Sequence, residues 1–264
     1  MITTIVQADI IWAQPEENRR HLGAWLDGMA KADLYVLPEM FSTGFTNEAA
    51  QMAERDGATL AWMQQKAQQL DAAIAGSVAT EEDGQFFNRL YFVKPTGEVT
   101  AYDKRHLFTY GKEHLHFTAG QERVVVEWRG VRILLAVCYD LRFPVWTRNR
   151  KDYDMILYVA SWPTSRVKVW NTLLKARAIE NQCYVAGVNR VGEDPRCEYC
   201  GASAIISPYG EEMDSCAWNK ECVATADIDM EKLRAFRLKF PVLDDADELA
   251  DLACYKTDGN GDEN

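Results

Sequence analysis

The chain has 264 residues, of which 47% are hydrophobic and 26% charged, and its formal net charge at pH 7 is −11. That length and apolar content suit one large globular domain with a sizeable core. No basic stripe is visible, which excludes an electrostatic nucleic-acid binder, and no apolar run approaches the roughly 20 residues of a membrane span.

"MITTIVQADIIWAQ" has no basic n-region and no A-x-A site, so it reads as a first strand rather than a signal peptide, and a cytoplasmic location is expected. Next comes "ENRRHLGAWLDGMAK", a helix with Leu22, Trp25, Leu26 and Met29 on one face. "ADLYVLPE" is a buried-type strand ending at Pro38. Thr59 to Leu70 repeats the helical pattern through Leu60, Met63, Ala67 and Leu70, and "AAIAGSVAT" is a further strand.

The middle of the chain predicts two hairpins. "FFNRLYFVKPTGEVTAYDKRHLF" turns at Pro95-Thr96-Gly97, and "RVVVEWRGVRILLAVCY" turns near Arg129-Gly130. "YDMILYVAS" is a strand, and "SRVKVWNTLLKARAIENQ" is a helix carrying Val167, Trp170, Leu174 and Ala178. "CYVAGVNRVG", "GASAIISPYGE" and "ECVATADID" predict three more strands. No linker or repeat interrupts residues 1–256, which read as a single domain, and "TDGNGDEN" (257–264) reads as a disordered tail.

Mixed β and α order with frequent hairpins predicts an α/β (α+β) sandwich, with two sheets packed together and helices outside. No glycine-rich phosphate loop follows any strand.

The seven cysteines are an odd number in a cytosolic-type chain, which argues against disulfides. Cys197 and Cys200 in "RCEYCGAS" have C-x-x-C spacing. No second pair or histidine motif accompanies them, so no metal is expected and the segment reads as a loop with two free thiols. A non-catalytic binding or metal module using this pair is the competing class.

Three segments each end an apolar strand with a reactive side chain. In "LYVLPEMFSTGF", Glu39 follows Pro38 and is flanked by Met40 and Phe41. A glutamate there is ordinarily an exposed loop acid, but its neighbours place it in an apolar wall, where an unpartnered carboxylate is costly. In "VTAYDKRHLF", Lys104, Arg105 and His106 form a basic run, which usually means a solvated patch. In "RILLAVCYDLRFP", Cys138 stands where a strand leaves its sheet, the position at which α/β folds bind ligands. Free cysteines there are more often buried than reactive.

Taken together and in this order, "PEMF", "DKRHLF" and "CYDLRFP" resemble the nitrilase, or carbon–nitrogen hydrolase, superfamily over nearly the whole chain. "KRHLF", "CYDLRFPVW", "ARAIENQ" and "VNRVG" resemble its ω-amidase branch. The resemblance implies a four-layer α-β-β-α sandwich and a thiol-dependent amidase that needs no cofactor. Glu39 matches the general base, Lys104 the lysine and Cys138 the nucleophile. Glu113 matches a second glutamate, set to orient Lys104 or to lie behind Glu39.

The backbone N–H of Tyr139 is the expected oxyanion donor. The implied substrates are small dicarboxylate monoamides such as 2-oxoglutaramate and 2-oxosuccinamate. A nitrile or an N-carbamoyl substrate is the alternative within the superfamily. Arg142 is a candidate for the distal carboxylate, against a structural salt bridge to Asp140 or another acid. Trp162 and Phe45 are candidates for the pocket wall, against ordinary core aromatics. The family also implies a homodimer, to which "RLKFPVLDDADELADL" would contribute.

Overall fold

The structure is a computed structural model that describes residues 1–247. The expected tail 257–264 and the end of the expected domain lie outside the described residues. The first half runs β1 (Ile2–Gln7), α1 (Pro15–Asp27), β2 (Leu34–Val36), α2 (Ala49–Met52), α3 (Ala58–Leu70), β3 (Ala73–Glu82), β4 (Gln85–Val93) and β5 (Val99–Asp103). The second half runs β6 (Val125–Trp128), β7 (Val131–Val137), α4 (Pro144–Thr147), β8 (Met155–Ala160), α5 (Val167–Asn181) and β9 (Tyr184–Asn189). It continues through β10 (Val191–Glu193), β11 (Glu198–Cys200), β12 (Ala204–Ile206), β13 (Glu212–Ser215), β14 (Cys222–Asp227) and α6 (Met230–Lys239).

Two six-stranded sheets follow one plan: β14-β1-β2-β3-β4-β5 and β13-β12-β9-β8-β7-β6. In each, three parallel strands form the centre (β1, β2 and β3; β7, β8 and β9) and antiparallel strands flank them. The central strands are continuous apolar runs because both of their faces are covered. Ile5, Val36 and Phe92 of one sheet pack against Ile133, Leu157 and Ala186 of the other in the shared core. Outside the first sheet, Leu22 and Leu26 of α1 with Met63 and Ala67 of α3 cover Val6, Tyr35 and Ile74. Outside the second, Trp170, Leu174 and Ala178 of α5 cover Leu134, Ile156 and Val185. The result is the expected α-β-β-α sandwich. Among the described residues, no helix is long and apolar enough to cross a membrane.

The hairpin turn at Arg129-Gly130 forms as expected, with φ of 48° and 75° at its two residues and β6 paired antiparallel to β7. Other elements differ from the sequence reading. "CYVAGVNRVG" is two strands, not one, broken at Arg190. That guanidinium is fully buried and lies 4.6 Å over the Tyr199 ring, donating to the carbonyls of Ile10 at 2.8 Å and Glu193 at 3.0 Å. "RCEYCGAS" is not simply a loop, since Cys200 is buried in β11, which pairs with β10. β13 and α6 were not anticipated. β13 is exposed throughout, and α6 buries only Leu233, so neither carries an apolar pattern.

Candidate active site

Glu39 lies on the loop after β2, and this loop crosses β3 at Gly76. A Cβ at Gly76 would stand 2.8 Å from Phe41 Cδ1 and 2.9 Å from Leu37 Cβ, so a glycine is required for the close approach. The loop is pinned there by Met40 N–H donating to Ser77 Oγ at 2.9 Å and Phe41 N–H donating to Ser77 O at 3.1 Å. Met40 itself takes a left-handed φ of 44°.

Glu39 is fully buried rather than an exposed loop acid. Its Oε1 accepts from Asn88 Nδ2 at 2.7 Å and Lys104 Nζ at 2.9 Å, and its Oε2 accepts from the Ser161 backbone N–H at 2.8 Å. Three donors and no acceptor is the environment of an ionised carboxylate.

Lys104 leaves the end of β5 and is buried as well, which separates it from the solvated reading of its basic run. Its Nζ donates to Glu39 and also to Glu113, at 3.0 Å to Oε1 and 2.9 Å to Oε2. Burial alone would favour the neutral amine, but the charges of Glu113 and Glu39 outweigh it and raise the lysine pKa, so Lys104 is a cation. Glu113 sits on a short helical turn, Glu113–Leu115, and accepts the Phe108 backbone N–H at 2.6 Å. Burial raises its pKa against the pull of Lys104, with Glu39 adding to the rise. Glu113 therefore takes the first of its two expected places, in direct contact with Lys104.

Cys138 follows β7 and opens the helical turn Cys138–Arg142 with φ of 45°, a left-handed conformation that takes the chain at its half-buried thiol out of the strand line. Burial, then the neighbouring Glu39 charge, pushes the thiol pKa well above its ordinary value, while Lys104 pulls it down. Burial and the Glu39 charge both favour the thiol over the thiolate, and attack by such a sulfur calls for a base.

The turn is held by Asp140. Its Oδ2 accepts from Val137 N–H at 2.9 Å and the Tyr102 hydroxyl at 2.8 Å; its Oδ1 accepts from His106 N–H at 3.0 Å and His106 Nδ1 at 2.7 Å. The His106 ring stacks on Phe143 with centroids 3.8 Å apart. Asp140 thereby locks the cysteine turn to the lysine segment.

A cavity, open at its mouth, reaches down to Cys138 and Lys104. Phe45, Trp162 and Arg142 all line it, as does the side of Tyr139. Phe45 also lies 5.3 Å from Lys104 Nζ, and the Arg142 guanidinium lies 5.1 Å over the Trp162 ring. The salt bridge expected as the alternative for Arg142 does not form among the described residues: Asp140 is engaged elsewhere and Arg142 pairs with no acid.

The sequence profile of the carbon–nitrogen hydrolase family matches residues 2–238. This chain belongs to that family. A relative in Escherichia coli named omega-amidase YafV is 50% identical to this hydrolase over 247 residues, spanning 93% of this chain and 96% of the relative. A 2-oxoglutaramate amidase of Bacillus subtilis is 36% identical, spanning 91% of this chain and 95% of the relative. The crystal structure of a CN-hydrolase superfamily protein from Xanthomonas campestris, which carries an arsenic adduct in its active site, superposes with a TM-score of 0.91 at 45% identity, covering 94% of this chain and 97% of that one.

Several residues of this carbon–nitrogen hydrolase's site were missed in the sequence. Asn88 donates to Glu113 Oε1 at 3.3 Å as well as to Glu39; a fully buried polar residue inside "FFNRLYF" was the available signal. Ser161 acts through its backbone, which no side-chain pattern reveals. Phe108, Arg166, Cys197 and Tyr199 also line the cavity. Cys197 thus stands at the pocket while Cys200 does not. Among the described residues, no cluster of three or more His, Cys, Asp or Glu gathers as a metal site.

Proposed function

We propose that this hydrolase is an ω-amidase, which hydrolyses the terminal amide of small dicarboxylate monoamides, 2-oxoglutaramate and 2-oxosuccinamate, to the acid and ammonia. The observation that carries this reading is the placement of Cys138 beside the buried Glu39–Lys104–Glu113 cluster at the floor of a cavity whose wall holds Arg142, which has no acidic partner among the described residues. The names of the two relatives point the same way.

Glu39 takes the thiol proton as Cys138 Sγ attacks the amide carbon. The tetrahedral oxyanion is held by Lys104 Nζ and the Tyr139 backbone N–H. Each such donor contributes roughly 3–4 kcal/mol. Lys104 has three N–H donors; one serves Glu39 and one suffices for Glu113, which leaves the third for the oxyanion. Glu39 then passes its proton to the nitrogen, the C–N bond breaks and ammonia leaves a thioester on Cys138. Water, deprotonated by Glu39, attacks the thioester and frees the acid. Arg142 binds the distal carboxylate, and Phe45 and Trp162 wall the chain between the two ends.

Ammonia release from 2-oxoglutaramate, set beside nitriles and N-carbamoyl amino acids, tests the reading. A clear preference for the 2-oxo acid amide supports it, and faster turnover of a nitrile or carbamoyl compound moves the chain to another reaction of the superfamily. Free cysteines support a reducing, cytoplasmic setting. The exposed apolar side chains Ile179, Leu238 and Phe240 support pairing of two copies, which sedimentation velocity would detect.

A further inference from the structure

The cavity contains a second guanidinium. Arg166 ends the short turn Thr164–Arg166 that leads into α5, and its side chain lines the cavity together with Arg142. The Arg166 guanidinium lies 5.2 Å over the Phe108 ring, as that of Arg142 lies 5.1 Å over Trp162. Two cations therefore each sit over an aromatic ring at cation–π distance. The backbone under Arg166 is fixed. Its carbonyl accepts Trp162 Nε1 at 2.9 Å, and its N–H donates to Pro163 O at 3.0 Å.

Neither guanidinium has an acidic partner among the described residues, although acids outnumber bases in the chain by 40 to 29. The acid on the adjoining loop, Asp194, is already engaged. It accepts the N–H groups of Arg196 at 2.7 Å and Cys197 at 2.8 Å and the Tyr199 hydroxyl at 2.5 Å. Two like charges on the wall of one open cavity repel each other, and an anion between them relieves that repulsion. A single carboxylate needs one fork; a 2-oxo acid end presents a carboxylate and an adjacent ketone oxygen, three acceptors in one plane.

We propose that Arg166 is a second specificity-determining residue of the pocket, acting with Arg142 to bind the carboxylate end of the substrate. This deepens the substrate assignment above and rests on it. The role is in binding, away from the reacting amide, so it belongs in KM rather than kcat.

The test uses the full-length enzyme with 2-oxoglutaramate, succinamate and the uncharged butyramide. Arg166→Gln is expected to raise KM for 2-oxoglutaramate by about 10- to 100-fold, with a smaller rise for succinamate and the smallest effect on butyramide. Arg166→Lys keeps the charge and loses the fork, and should recover only part of the loss. Inhibition by 2-oxoglutarate, read without turnover of the anion, should weaken in parallel. An equal loss on butyramide, or an unchanged KM for 2-oxoglutaramate, overturns the assignment of Arg166. A parent enzyme that shows no preference for anionic amides overturns the substrate reading itself, so the two failures are distinguishable.

Discussion

Asp140, two residues after Cys138, accepts the backbone N–H of Val137, the residue just before that cysteine, at 2.9 Å. The same buried carboxylate takes three more hydrogen bonds from Tyr102 and His106. Every partner is a donor, because a carboxylate only accepts, and His106 must therefore carry its proton on Nδ1. Asp140→Asn turns one acceptor oxygen into an NH₂ group that faces donors. It should cost about 2–4 kcal/mol of stability and lower kcat by about 100-fold, since small displacements of a nucleophile are expensive. Thermal unfolding and steady-state kinetics on the variant check both.

Burial and then the Glu39 charge raise the pKa of Cys138, yet in the proposed reaction Glu39 is the group that removes the thiol proton. These roles separate in Glu39→Gln. With the carboxylate charge gone and Lys104 still present, the thiol pKa falls and iodoacetamide labels Cys138 faster at pH 7. Turnover nevertheless falls about 1,000-fold. In the parent, labelling should keep climbing with pH past about 8.5, the ordinary thiol value. A labelling plateau near that value would show that the thiol is not held protonated.

Removing Lys104 leaves Glu39 and Glu113 facing each other in a buried site. Lys104→Met should abolish activity and destabilise the fold by about 3–5 kcal/mol, the range for breaking one side of a buried ion pair. Adding Glu113→Gln removes one of the two carboxylate charges and should restore part of that stability without restoring turnover. A denaturation series on the single and double variants measures the coupling.

Asp154 is a stability site remote from the chemistry. It is bonded to Arg132 at 2.9 and 2.8 Å and to Arg237 at 2.7 Å. Burial raises its pKa, but hydrogen bonds and charge from Arg132, with Arg237, outweigh this and hold it below the ordinary aspartate value. The unfolded chain then binds more protons through this window, so stability rises with pH. The contribution is complete above the unfolded value of about 3.9 and is lost as pH falls through the lower folded value. Asp154→Asn should destabilise by about 1–3 kcal/mol at pH 7, discounted because Arg132 is partly exposed. Unfolding midpoints of parent and variant should converge in strong acid.

The sequence showed the sandwich where burial writes itself into periodicity. β7 and β8 are continuous apolar runs, and α5 repeats its core face through Trp170, Leu174 and Ala178. It was silent for β13, which has no buried residue, and for α6, which has one. Glu39 and Cys138 each break an apolar pattern, whereas Lys104 stood in a basic run with Arg105 and His106 and was singled out only by the family resemblance of the three segments. Their supports were harder to read. Asn88 was hidden in an amphipathic strand, Ser161 contributes a backbone group, and the partners of Asp140 are residues 102 and 106, far off in the chain. Arg142 was ambiguous and Arg166 was passed over for a different reason, since the lack of a salt bridge among the described residues is visible only in three dimensions.

The division of the site between the sheets has one more consequence. Glu39, Asn88 and Lys104 belong to the first sheet and its loops, whereas Cys138 and Ser161 follow strands of the second. Glu39 and Lys104 emerge from the ribosome before Cys138, and neither half holds the whole of the proposed reaction centre. A partly folded chain carries only an ordinary cysteine. Turnover during refolding therefore reports one event, the docking of two sheets, and its lag against far-ultraviolet ellipticity would time that event directly.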